Sequence, residues 1–135
     1  MNDTKVYILP GEPVSLLRAR YSKVTGGVYN CQKTRQLVDR LNLQDQHNDL
    51  PPIQGPIHVH LSFYMPIPKN VSIKRRESLI GAYHIIRPDL DNCIKYYLDV
   101  AQSVLFNNDC TISEITAKKI YDTNPRTELS IKALV

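Results

Sequence analysis

Cysteine is scarce and poorly spaced for chemistry. The 135-residue chain has three, Cys31, Cys93 and Cys110. The count is odd and no C-x-x-C unit occurs, which argues against a zinc site or a dithiol redox couple. Buried small thiols in a reducing compartment are the expectation. Long apolar runs are also missing, since nothing approaches the roughly 18 residues needed to cross a bilayer. The opening MNDTKVYILPGEP has no apolar stretch of signal-peptide length, so the expected location is cytoplasmic. Glycine numbers only five. The pair Gly26-Gly27 lacks the G-x-x-x-x-G-K context of a phosphate loop, which argues against ATP or a dinucleotide. Ser, Cys and His fall into no familiar nucleophilic constellation. Repeats, linkers and low-complexity segments are absent.

What remains is ordinary in bulk and uneven in detail. Hydrophobic residues make up 42% and charged residues 22%, as in a soluble globular protein, and the length implies one domain over residues 1–135. The net charge of +4 mildly favours a polyanionic partner. From Arg87 to Asp109, however, two bases face four aspartates, a local charge of −2. The stretch just before it, Lys69 to Ile86, carries four bases and one acid, or +3. An acidic patch directly following a basic one is the pattern expected where metal ions are held against a phosphate backbone.

The elements that carry these patches can be read from periodicity. KVYILP (Lys5 to Pro10) predicts an opening strand. The spacing of Cys31, Leu37, Val38 and Leu41 predicts an amphipathic helix from Asn30 to about Gln46. IHVHLSFYM alternates, with Ile57, Val59, Leu61, Phe63 and Met65 on one face, and predicts a strand with one side buried. His58 and His60 share its other face, but no third ligand completes a zinc set. A 21-residue stretch from Pro66 to Ile86 follows, with a short helix expected around Ser72 to Ile80 and a basic centre at Lys74, Arg75 and Arg76. A connection of that length suits a substrate-contacting loop or flap. Thr111 to Asp122 and Thr127 to Val135 read as the two strands of a hairpin around Asn124-Pro125.

The helix that opens within RPDLDNCIKYYLD is the focus of the sequence. Pro88 suits an early position, and Asp89 or Asp91 can cap free N–H groups. Leu90, Ile94, Tyr97, Leu98, Ala101 and Leu105 form the expected buried stripe, while Asp91, Lys95 and Asp99 share another face. Two carboxylates at a helix start can serve simply as a cap and dipole partner, worth about 0.3–1 kcal/mol. Asp109 adds a second reading. If the turn after the helix returns the chain beside the first helical turn, Asp89, Asp91 and Asp109 become oxygen donors for a hard cation, Mg²⁺ or Mn²⁺. Lys95 would then reach the same point and neutralise charge on a phosphate.

The motif PDLDNCIKYYLD…FNNDCTISEITAKKIY resembles the RusA family of Holliday junction resolvases. That family's pattern is D-x-D-N-x-x-K, an aspartate in the helix, D-D before a strand, and a later lysine. Asp89, Asp91, Asn92, Lys95, Asp99, Asp109 and Lys119 fall on it in order. The resemblance spans about Arg87 to Tyr121 and extends weakly to the strand ending in PGEP, to Arg18 and Arg20, and to YMPIPK. It implies a single compact α/β (α+β) domain, a small mixed β-sheet packed with two main helices, and a homodimer. The implied activity is a Mg²⁺-dependent crossover junction endodeoxyribonuclease. Such an enzyme nicks four-way DNA junctions in symmetric pairs during recombination and repair, and members often occur in phages and prophages. By the resemblance, Asp89, Asp91 and Asp109 hold the metal and Lys95 assists at the phosphate. The expected DNA-binding residues are Arg18, Arg20, Lys69, Lys74, Arg75, Arg76, Arg87 and Lys119. The chain departs from the pattern at Asn108, where the family usually has the first aspartate of its pair, and at Thr111, where glutamine is common. Two alternatives stay open: a nuclease preferring other branched DNA, and a catalytically weak branched-DNA-binding protein of the same fold.

Overall fold

The computed structural model describes residues 5–17, 20–21, 28–29 and 32–135, with residues 20, 21, 28 and 29 described by their backbone alone. The alternating segment forms the central strand. We label the strands β1 (Val6–Pro10), β2 (Arg20–Tyr21), β3 (Val28–Tyr29), β4 (Ile57–Pro66), β5 (Ile112–Asp122) and β6 (Arg126–Ala133). The helices are α1 (Lys33–Gln46), α2 (Ile73–Leu79) and α3 (Leu90–Ala101). Strands β1, β6, β4 and β5 form a four-stranded sheet in that order, and β2 pairs with β3 in a small ribbon. The sheet is mixed, because β4 runs parallel to β5 and antiparallel to β6.

On β4, Ile57, Val59, Leu61 and Phe63 are fully buried, as the period of two requires. Each such side chain contributes roughly 1.5–3 kcal/mol through the apolar surface removed from water. Helix α3 covers this face, with the Tyr97 ring 5.5 Å from the Phe63 ring. The buried face of α3 comprises Cys93, Tyr96, Tyr97, Val100 and Ala101. Of the expected stripe, Leu90, Ile94 and Leu98 are only partly buried. The helix is therefore rotated so that its tyrosines enter the core, where their hydroxyls find partners. The Tyr97 hydroxyl accepts from the Val14 N–H at 3.3 Å.

Helix α1 forms where the sequence places it but faces the other way. Leu37, Val38 and Leu41 are more than half exposed, whereas Asp39 and Leu43 are buried. Beside Leu43, the inward face makes polar contacts. Asp39 accepts from Arg35 Nε at 3.0 Å and from the Tyr96 hydroxyl at 2.8 Å. The Tyr7 hydroxyl lies 2.7 Å from His47 Nδ1. At the outer edge of the sheet, the Gln46 amide accepts from the Ile8 N–H at 2.9 Å and donates to the Ile8 carbonyl at 2.7 Å.

The hairpin expected of β5 and β6 does not form, because β4 lies between them. Their three-residue connection, Thr123 to Pro125, arches over the end of β4. Two strand spacings are only about 9.6 Å, which three residues span easily. Arg126 closes the arch. It bonds Asp122 at 2.6 Å and Glu128 at 2.7 Å, and its guanidinium stacks 3.8 Å above the Tyr64 ring of β4.

Candidate active site

The acidic motif sits where a loop turns into α3. Asp89 is the N-cap residue, with extended backbone angles of −67° and 140°, yet its carboxylate makes no capping hydrogen bond. Asp91 accepts only locally, from the Asn92 N–H at 2.9 Å. Both side chains are exposed. The position is that of a cap, but the Asp89 carboxylate does not serve as one. Residues Ser15, Arg87, Pro88, Asp89 and Asn92 line an open cleft of about 420 Å³ here. Lys95 is exposed one turn further along, beside Leu16, Leu17 and Asn92.

Beneath the acidic pair lies Lys119 of β5. Its ammonium donates to the Ile86 carbonyl at 2.8 Å and to the Pro88 carbonyl at 2.6 Å. Its own backbone is fixed by β4, in register with Phe63, and by the His84 N–H, which donates to the Lys119 carbonyl at 3.0 Å. Burial pushes the Cys93 thiol up to about 11. The Lys119 ammonium pulls it back, and the Asp89 and Asp91 carboxylates add to the rise. These opposed influences on one sulfur put Lys119, Asp89 and Asp91 in a single electrostatic neighbourhood. His84 is buried against the Tyr121 ring at 4.9 Å, with Nδ1 lacking a partner. Burial and then the Lys119 charge lower its pKa.

Asp109 is not in this neighbourhood. It opens a 3-10 turn (Asp109–Thr111) at the start of β5, near the other end of α3. There burial, followed by the Asp109 charge, raises the Asp99 pKa, with Arg40 opposing. Ten residues of helix separate Asp89 from Asp99, about 15 Å at 1.5 Å per residue. The strand does return along α3 as expected, but it delivers Lys119, not Asp109, to the first turn. Among the described residues no group of three or more His, Cys, Asp or Glu lies close enough to hold a metal ion. The expectation that Asp89, Asp91 and Asp109 converge within one chain is therefore corrected.

The two departures from the family pattern have local roles. Asn108 caps the 3-10 turn by accepting from the Cys110 N–H at 3.1 Å, and the Thr111 hydroxyl donates to the Asn108 carbonyl at 2.9 Å. Asparagine and aspartate cap about equally well. Cys93 is buried as expected, whereas Cys110 is exposed. Of the basic residues, Lys69, Lys74, Arg75, Arg76 and Arg87 are exposed. Ser72 caps α2 by accepting from the Arg75 N–H at 3.2 Å, which organises the basic centre as a helix. Lys119 is committed to carbonyls, so the structure gives it a partner inside the chain where DNA contact was expected. Arg18, Cys31 and the side chain of Arg20 lie outside the described residues.

Sequence reasoning missed the contribution of Arg40. It donates to the Asp99 carbonyl at 3.0 Å and the Val100 carbonyl at 3.3 Å. No local motif marks it, because its partners lie some 60 residues away.

Residues 10–132 match the family model described as Endodeoxyribonuclease RusA. The chain is also 28% identical over 129 residues to the uncharacterised protein YqaN of Bacillus subtilis (strain 168), covering 90% of this chain and 91% of YqaN. A match across nearly the whole length includes both the acidic helix entry and the strand that carries Lys119. The chain belongs to the RusA endodeoxyribonuclease family.

Proposed function

We propose that the protein is a divalent-metal-dependent endonuclease that resolves four-way DNA junctions in the cytoplasm by paired nicks, acting as a homodimer. The observation that carries this reading is Asp89: it occupies the cap position of α3 with its carboxylate left out of the helix. Next to exposed Asp91 it forms a hard oxygen pair. Mg²⁺ commonly takes one or two carboxylates and completes its shell with water and substrate phosphate, so the pair fits Mg²⁺ and also Mn²⁺. Such an ion, when bound, supplies an acidified water and a polarised phosphoryl group.

The chain's own groups supply the rest. The Lys95 ammonium, on the same helix face as Asp91, neutralises charge gathering on the reacting phosphate. The exposed bases Lys69, Lys74, Arg75, Arg76 and Arg87 hold the DNA backbone, with Arg87 lining the cleft itself. A four-way junction has paired, symmetry-related strands, which suits a twofold dimer with one site per copy. The exposed apolar residues Leu37, Val38 and Leu41 on α1 support self-association. In that dimer Asp109, remote from Asp89 in its own chain, is expected to serve the site of the second copy.

Labelled four-way, flap and linear DNA, incubated with Mg²⁺ or with chelator, tests the proposal. Symmetric Mg²⁺-dependent nicks confined to four-way junctions are expected. Preferential cutting of flaps would make the protein a nuclease of other branched DNA. Tight junction binding without any nick would make it a branched-DNA-binding protein that has lost catalysis.

A further inference from the structure

We infer that Lys119 is a positioning residue for the acidic site, holding the turn that aims Asp89 and not contacting DNA. The inference rests on the metal-dependent reading above. Asp89 takes no orientation from a capping bond, so its direction follows from the backbone on which it stands. That backbone is an exposed loop entering a helix, the kind of segment that opens most readily. One ammonium pins two of its carbonyls, at Ile86 and Pro88, immediately before Asp89.

The pin is anchored in the four-stranded sheet. Lys119 pairs in register with Phe63, which is fully buried, and the Lys119 carbonyl receives the His84 N–H at 3.0 Å. Gly81 N–H to Tyr121 carbonyl and Tyr121 N–H to Ala82 carbonyl, both 2.9 Å, extend the same attachment. The loop is thus stitched to β5 along its length, and Lys119 makes the last stitch before the carboxylates. Groups that orient ligands without touching the metal typically change affinity or activity by about 10–100-fold when removed.

Two roles for the lysine predict opposite signs. If Lys119 acted only as a positive charge near the carboxylates, its removal would strengthen cation binding by ending a repulsion. If it positions Asp89, removal weakens binding despite that gain. Lys119→Met is the test, with Lys119→Gln as a milder variant that keeps N–H donors without the charge.

In chelator, amide hydrogen exchange of Arg87 and of Asp89 to Cys93 is expected to quicken in Lys119→Met, while the β4–β5 ladder stays protected. The Mg²⁺ concentration giving half the maximal thermal shift, and that giving half-maximal nicking, are each expected to rise by about 10–100-fold. Junction affinity in chelator should stay within about twofold, since a phosphate-contacting lysine would lower it and flatten its salt dependence. Should Lys119→Met fold poorly, the same shifts in smaller measure are expected of Lys119→Gln. Unchanged exchange at 87–93, or an unchanged or lowered Mg²⁺ requirement, would overturn the inference. A wild type that neither responds to Mg²⁺ nor nicks DNA would instead overturn the nuclease reading, leaving hydrogen exchange to decide the role of Lys119.

Discussion

The Tyr96 hydroxyl of α3 donates to the Asp39 carboxylate of α1 at 2.8 Å, inside the protein. Asp39 is 2% exposed, and Arg35 holds its charge from the same helix at 3.0 Å. The pair ties the helix that bears the acidic motif to the helix that backs it. Asp39→Ala leaves the buried Tyr96 hydroxyl without its acceptor and the half-buried Arg35 guanidinium with only the Glu12 carbonyl. A loss of about 2–3 kcal/mol is expected in denaturant melts, against about 1 kcal/mol for Tyr96→Phe. Equal small losses for both would show that the carboxylate is solvated.

Asp89→Asn, Asp91→Asn and Asp109→Asn keep side-chain shape, remove one negative charge and lose a strong cation donor. Each is expected to lose nearly all Mg²⁺-dependent nicking while binding junctions as well as the wild type or better, most clearly in chelator. Lys95→Ala should bind normally and cut about 10²–10³ times more slowly. A capping role for Asp89 predicts a lowered melting temperature with nicking retained. Melting temperature, junction affinity and nicking rate measured on all four variants separate the two.

The distance between Asp89 and Asp109 makes a test by mixing possible. In a heterodimer of Asp91→Asn and Asp109→Asn chains, a site built from two copies has one intact version. Mixed and refolded, the two inactive proteins should regain nicking of a single strand per junction. A site contained within one chain would regain nothing.

Lys74→Ala, Arg75→Ala and Arg76→Ala combined should weaken junction binding. The slope of log affinity against log salt should flatten by up to about 2.7 if each contacts one phosphate. An unchanged slope would make α2 a bystander.

His84 gives the fold a pH dependence of defined sign. Burial and Lys119 hold its folded pKa below the ordinary 6.5. The folded protein therefore resists a proton that the unfolded chain accepts near that pH. The stability contributed by neutral His84 is full above 6.5 and is lost as pH falls below it. Melts between about pH 7.5 and 5 should show the decline in wild type and a flatter profile in His84→Phe.

Local periodicity carried most of the elements. The alternation on β4, the short helix α2 and the exposed face shared by Asp91, Lys95 and Asp99 all stand in the structure where the residues place them. Failures arose where a distant partner decides. Asp39 turns inward only because Tyr96 waits there, so the apolar stripe of α1 faces out. The arch of β5 over β4 looks like a hairpin because its loop is short and carries Asn124-Pro125. Asp109 fails to reach Asp89 because β5 starts at the far end of α3 and only Lys119, ten residues on, arrives beside the first turn. The acidic helix entry itself was legible because its residues are consecutive, whereas Lys119 reaches it from 31 residues away.

The amide clasp of Gln46 on Ile8 has a consequence for how copies can stack. In an antiparallel pair only alternate residues point their peptide groups outward, here Val6, Ile8 and Pro10. Gln46 occupies both groups of Ile8, and proline offers no N–H. The β1 side is thereby closed to a further strand, while the Gly81 to His84 segment occupies one half of the opposite edge along β5. Among the described residues, the exposed stretch from Ser113 to Thr116 is the open length of that edge. A sheet that can accept a neighbour on one side alone cannot polymerise head to tail into a fibre. With one open edge among the described residues, edge pairing would join two copies and then stop.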